Sequence, residues 1–398
     1  MGETTIEDKF VVKGPVGATI GIFANRDDLL GIQRNILRGE WVSLTGPRQF
    51  GKTSILKALE RTYSQTYDTV PVFMSLEEFC NDFLDALSAE TMSTNFGNAM
   101  RRITTHVYER LVERKMLDDA GLSFKNAIAS YDGSRSLGDF LKDLQGAIDN
   151  PGDMRVAKMR ENKARALLLF DEYNNLRGKV PEFLSHLRFI FGASEHGTRR
   201  PIQSCVIADQ QDAATISLGS TSPYNISRTV ILRDLTEETS NKIIRDGLQP
   251  QGVKVEDGAY NRIYYWSGGH PCLVQRMGSY CVKELNKRNI KTLTPQLVDE
   301  ASEHFVYAGD DHLSALSVML AGEEKISPGI VSAFTEFMGG QSIQLMLSRP
   351  THAKLYKLGL VVRQDEDDFR SPAKVRNPIY ERHFRSLMDS GQPPFPPK

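Results

Sequence analysis

Along the first 235 residues the apolar positions follow two alternating periods. Short continuous apolar runs stand at Trp41–Leu44, in TVPVFMSLEEF over 69–79, at Ala166–Phe170, at Ile202–Ala208 and at Val230–Leu232. Runs of this length predict strands covered on both faces. Between them, apolar residues recur every three or four positions. In DDLLGIQRNILRG the stripe is Leu29, Leu30, Ile32, Ile36 and Leu37, with Asn25 or Asp27 as cap and Gly39 as stop. SILKALERTY and VPEFLSHLRFIFGAS read the same way. Strands alternating with helices predict an α/β fold around a parallel sheet. Residues 80–160 are charged and helical throughout, as in NAMRRITTHVYERLVERKML, with breaks near Tyr131-Asp132-Gly133-Ser134 and Asn150-Pro151-Gly152-Asp153. They predict an all-helical insertion between strands. Its basic run Arg155, Lys158, Arg160, Lys163 and Arg165 reads as a solvated helix face.

After Thr236, a helix cap, the alternation ends and helical patterns take over: EETSNKIIRDGL, then AYNRIYYWSGGHPCLVQRMGSYCVKELNKR. Gly268-Gly269-His270-Pro271 interrupts the second, with Pro271 placed to open the next helix. Near the carboxyl end, KLYKLGLVVRQ, an acidic turn and FRSPAKVRN give helix–strand–turn–strand, the order of a winged helix. The expected division is a core over 1–235 with its insertion at about 80–160, a helical domain over 236–309, a winged-helix domain over 310–388, and a proline-rich tail over 389–398.

The chemistry sits where strands end. After the Trp41 strand comes Gly46-Pro47-Arg48-Gln49-Phe50-Gly51-Lys52-Thr53, a G-x-x-x-x-G-K-[ST] phosphate-binding loop between strand and helix. Gly46 and Gly51 let the backbone turn so that successive N–H groups face phosphate oxygens. The helix starting near Lys52 points its positive end at the same anion. Lys52 suits the β- and γ-phosphates, the Thr53 hydroxyl suits Mg²⁺, and Ser54 completes the binding run. The Ala166 strand ends in Asp171-Glu172, at the carboxyl edge where open α/β sheets bind nucleotides. Asp171 suits a hold on Mg²⁺, and Glu172 suits the base that polarises an attacking water. Asp209 or Gln210, after the Ile202 strand, could sense the γ-phosphate. Arg199 and Arg200, before it, could serve as arginine fingers or be ordinary surface residues.

Composition removes some alternatives. A chain of 398 residues with 40% hydrophobic and 25% charged residues has an ordinary globular balance, and its length exceeds one typical core. The net charge of -1 argues against a strongly basic nucleic-acid binder. The acidic start MGETTIEDKF is wrong for a secretory signal, and no apolar run reaches the ~18 residues of a membrane helix. Cys80, Cys205, Cys272 and Cys281 lack metal spacing and read as core thiols in a reducing cytoplasm.

Together, GPRQFGKTS, LLLFDEY, SPYNI, SGGHPCLVQ and RNPIYERHF resemble the AAA-like ATPases of the STAND class, close to the archaeal-type ATPases, over roughly residues 20–388. The resemblance implies an ASCE/AAA+-like P-loop NTPase core, a helical lid and a winged-helix domain, switching between ATP and ADP with Mg²⁺. It places the segment around Arg26 near the adenine, along with Gly269-His270-Pro271. It makes His383 the nearest candidate for a β-phosphate sensor, although Arg382-His383-Phe384 departs from the usual Met-His-Asp. It further implies a homo-oligomer in the ATP state, a separate effector or sensor protein, no membrane, and a role in signalling or defence. DNA loading or transposition regulation is the second reading.

Overall fold

The computed structural model describes residues 5–16, 26–66, 68–76, 89–117, 136–172, 201–209, 227–307, 309–340 and 342–389. By contacts the chain forms two compact units. One comprises Asp27–Thr45 and Lys52–Leu232; the other comprises Met1–Arg26, Gly46–Gly51 and Arg233–Lys398.

The first unit is built on five parallel strands: β1 (Trp41–Thr45), β2 (Thr69–Ser75), β3 (Arg165–Asp171), β4 (Ile202–Asp209) and β5 (Ser227–Ile231). Their order is β2-β3-β4-β1-β5, so β4 separates the strand before the phosphate loop from the strand that ends in Asp171. In β3, Ala166 to Asp171 are all buried, which matches the continuous apolar run. Helix α1 (Asp27–Leu37) packs on β1, β4 and β5 with Ile32 and Ile36 inaccessible to solvent, whereas Leu37 stays exposed. Helix α2 (Lys52–Ser64) covers β2, β3 and β4 through Ile55, Leu56 and Leu59. Gln203 Nε2 donates to Ile36 O at 2.9 Å and Ser204 Oγ to Glu40 O at 2.6 Å, tying the α1–β1 turn to β4.

The sequence reading and the structure differ at four places here. The strand expected over 69–79 ends at Ser75, and the last strand begins earlier, at Ser227. The helical insertion shares the sheet's own core. Helices α3 (Ala89–Glu113) and α4 (Ser136–Asp149) bring Ile103, Val107, Leu111, Phe140 and Leu144 into one apolar cluster with Val70, Val72 and Phe170. The basic run is structural in part. Arg160, at the end of α5 (Ala157–Glu161), donates to Ile148 O at 3.0 Å and Ala147 O at 2.6 Å, satisfying carbonyls that the end of α4 leaves without helical partners. Arg155 pairs with Asp153.

The second unit has one continuous core, from Ile6 and Phe10 through Leu235 to Phe384. It contains α6 (Glu237–Leu248), β6 (Lys254–Val255), α7 (Asp257–Ser267), α8 (Pro271–Arg288), β7 (Thr292–Leu293) and α9 (Pro295–Tyr307). There follow α10 (Asp311–Ile326), α11 (Ile330–Met338), β8 (Ile343–Gln344), α12 (Pro350–Lys357), β9 (Val361–Arg363), β10 (Pro372–Val375) and α13 (Pro378–Asp389). Strands β8, β10 and β9 form an antiparallel sheet in that order. Thr236 caps α6 by accepting from Thr239 N, as its sequence position predicts.

The lead-in segment packs across α8. Asn286 accepts from Ile6 N and donates to Ile6 O, both at 2.8 Å. The Phe10 ring fills the space over Gly278, where an added Cβ would come within 2.5 Å of it. Gly269, at φ 75°, fits because its Cα lies against Leu235; a Cβ there would sit 2.2 Å from Leu235 O. Cys205 and Cys281 are buried, and burial pushes the Cys281 thiol up to about 12. Cys80 and the proline-rich tail lie outside the described residues. Among those residues no helix is long and apolar enough to cross a membrane.

Candidate nucleotide site

In the sheet unit, β3 ends with Asp171 at the carboxyl edge and α2 begins with Lys52 and Thr53. Thr53 Oγ1 donates to Asp171 Oδ2 at 2.5 Å, and Asp171 Oδ1 accepts from Glu172 N at 3.1 Å. Burial raises the Asp171 carboxyl above its usual range, an effect opposed by the Thr53 hydroxyl and the Lys52 charge. A hydroxyl and a carboxylate converging at a partly buried strand edge are hard oxygen donors, and both fit Mg²⁺. Lys52 is itself buried. Glu172 takes φ 56°, a left-handed conformation uncommon for a side-chain-bearing residue. Register places Asp209 beside Thr45 and Ala208 beside Asp171, so the last residue of β4 lies between the two motif-bearing strand ends. Its side chain, together with Gln210, Arg199 and Arg200, lies outside what is described.

The loop Gly46–Gly51 packs within the second unit. Gly51 has φ 85° and Gln49 φ 64°, so two of its turns need left-handed backbone. Phe50 is fully buried, its ring 4.7 Å from that of His270 in an edge-to-face arrangement. The Arg376 guanidinium carbon lies 4.8 Å from the Phe50 ring centre. Arg26, the candidate from the segment before α1, donates to Phe50 O at 3.2 Å and to Arg233 O at 2.5 Å. Pro47 packs beside Gly359, where an added Cβ would meet it at 3.0 Å, and Arg48 reaches the Met319 sulfur at 3.4 Å.

With strand order, loop and acidic edge described, the comparisons become informative. No protein-family model matches the sequence, and no curated protein matches it. Among solved structures, it aligns with the Walker-type ATPase PABY2304 of Pyrococcus abyssi over 94% of its own length and 99% of that chain, at a TM-score of 0.61 and 13% identity. The chain has the α/β P-loop fold. At that identity the likeness speaks for the fold. ORC2 of Aeropyrum pernix aligns over 93% and 95% of the two chains at 12% identity and a TM-score of 0.47. The RuvB Holliday junction branch migration motor of Thermotoga maritima aligns over 96% and 99% at 14% identity and 0.44.

The remaining candidates of this P-loop chain take defined places. Pro271 is the first residue of α8, and His270 before it is buried. His270 lies 5.8 Å, ring to ring, from both His312 and Tyr380, and His312 Nε2 is hydrogen-bonded to Tyr380 Oη at 2.8 Å. Burial, with the charges of His312 and Arg376, holds His270 well below the usual histidine range, and burial lowers His312 to about 3. His383, the resemblance-based sensor, shares a hydrogen bond with Ser317 at 3.0 Å, and its pKa is lowered by burial. Sequence reasoning did not single out His312, Tyr380, Arg376 or Asp234 as site residues. The only signal was RNPIYERHF, which held Arg376 and Tyr380 as part of a family motif without a role.

Proposed function

We propose that this chain is an ATP-binding and slowly hydrolysing switch of the STAND type, in which ATP and ADP favour different arrangements of a core, a helical lid and a winged-helix domain. The observation that carries the reading is the Thr53–Asp171 hydrogen bond, which joins the phosphate-loop motif to the acidic strand end in one partly buried oxygen pair. Thr53 and Asp171 would hold Mg²⁺, which when bound neutralises charge on the β- and γ-phosphates. Lys52 offers the same phosphates a cation, and the loop N–H groups of Arg48 to Ser54 supply the anion cradle. Glu172, next to Asp171 at the edge, orients and polarises the attacking water. The left-handed turn at Gly51, directly before α2 begins at Lys52, supports this reading.

A reader of DNA is the weaker alternative. The turn between β9 and β10 carries Asp365, Glu366, Asp367 and Asp368, and Arg233 is paired with Glu366 at 3.5 Å and Asp367 at 2.8 Å. An acidic hairpin tip repels a phosphate backbone. In the switch reading, ATP drives self-association or partner activation, in signalling or defence, with a separate effector or sensor protein.

The test is the nucleotide content and mass of the purified chain, by denaturing extraction and light scattering. Retained ADP on a monomer, with assembly when ATP is added to Glu172→Gln, is the expected result. A chain that retains no nucleotide, hydrolyses ATP freely and does so faster with DNA overturns the switch.

A further inference from the structure

One ring of the phosphate loop is held by residues that follow it by more than two hundred positions. Phe50 is sandwiched edge-on by His270 and covered by the Arg376 guanidinium, 4.8 Å from its centre. Arg376 is itself fixed on several sides. It is ion-paired with Asp234, donates through Nε to Gly359 O at 2.7 Å and through Nη2 to Val361 O at 3.4 Å. The ion pair is largely buried, and such a pair is seldom optimal for stability alone. Asp234 Oδ1, His270 Nδ1 and Asn377 Nδ2, all in this neighbourhood, are buried without hydrogen-bond partners among the described residues. Each such atom lowers stability, because it gives up water without gaining a partner. The arrangement therefore spends stability on holding one side chain in a defined place.

We infer that Arg376 is a positioning residue for nucleotide binding: by clamping Phe50 against His270 it sets the shape of the phosphate loop. This rests on the nucleotide reading above. The loop has few ways to keep its left-handed turns without an anchor, because Gln49, at φ 64°, is not a glycine. Phe50 is the anchor, since its carbonyl accepts from Arg26 while its ring is held by Arg376. Sheet β8-β10-β9 reaches the loop through this same residue, as Arg376 directly follows β10 and bonds carbonyls at Gly359 and Val361. A planar guanidinium can stack on a ring and pair with a carboxylate at once, which an ammonium cannot reproduce.

The experiment is a double-mutant cycle on the full chain, measuring ADP and ATP affinity by titration calorimetry for wild type, Phe50→Leu, Arg376→Lys and the double variant. Arg376→Lys keeps the charge beside Asp234 so that the chain folds, and Arg376→Gln is run in parallel. Each single change is expected to weaken ADP binding by about tenfold. The double variant is expected to be no weaker than the worse single one, because both remove the same clamp. Lys52→Ala, which acts on phosphate directly, is the control. Additive losses, or singles that bind ADP as wild type does, overturn the clamp while leaving the nucleotide reading intact. A wild type that binds neither nucleotide, like Lys52→Ala, overturns both.

Discussion

Two buried clusters near the phosphate loop's sequence are built on opposite principles. In the sheet unit, Thr53, Lys52 and Asp171 gather polar groups at a strand edge, and burial there raises the carboxyl of Asp171. In the second unit, the rings of Phe50, His270 and Tyr380 meet edge-on, Arg376 lies over Phe50, and burial holds His270 and His312 below the usual histidine range. In the proposed switch, the first cluster would hold charge for chemistry. The second holds shape. Polar groups that must meet a charged ligand can be left under-solvated until it arrives, whereas a ring that must stay put needs contacts on every side.

If that contrast is right, substitutions in the two clusters fail differently. The largest effect is expected from Glu172→Gln, which should lower ATP turnover by at least ~10²-fold with nucleotide affinity nearly unchanged, read by steady-state hydrolysis beside calorimetric binding. Equal losses in both would move Glu172 into the binding set. Gly269→Ala should act on stability instead. With φ 75° and Leu235 O 2.2 Å from the new Cβ, a loss of about 3 kcal/mol or more is expected in urea unfolding. A near-neutral result would mean that the backbone there gives way easily.

The shape cluster also predicts a pH dependence. His270 and His312 have folded pKa values below the unfolded value near 6.5, so the unfolded chain binds more protons under mild acid. Their contribution to stability is therefore complete above pH 6.5 and lost as pH falls below it, by up to about 1.4 kcal/mol per pH unit for each histidine. Thermal unfolding between pH 7.5 and 5 checks this, and the dependence should shrink in His312→Gln. Asp171 has the opposite sign. Its folded pKa is raised, so its ionisation costs stability as pH rises through that value. The smallest effect follows: Asp171→Asn should stabilise the nucleotide-free chain by about 1 kcal/mol while removing the Mg²⁺ dependence of nucleotide binding. A destabilised Asp171→Asn would instead make the Thr53 bond structural.

Much of the sheet unit was legible because its signals are local. The period of Ala166–Phe170, the loop Gly46–Thr53 and the acidic pair Asp171-Glu172 each carry their meaning within a few residues. The insertion was legible as helices but not as part of the sheet's core, since Phe140 and Val72 come into one apolar cluster only through folding. Arg160 read as surface because nothing in its neighbours announces the open carbonyls of α4. Phe50 was counted as a phosphate-loop residue, and the sequence offered no hint that its ring packs against His270.

The sequence by itself therefore determined the strands, the phosphate loop, the acidic edge and the break at Gly269-His270-Pro271, because propensity, glycine freedom and motif spacing act over short stretches. Tertiary structure decided which residues share burial. It placed β4 between β1 and β3, joined Thr53 to Asp171, closed Arg376 and His270 around Phe50, and paired Arg376 with Asp234. The physical reason is that desolvation and ring packing depend on partners hundreds of residues apart, and no local pattern encodes who those partners are.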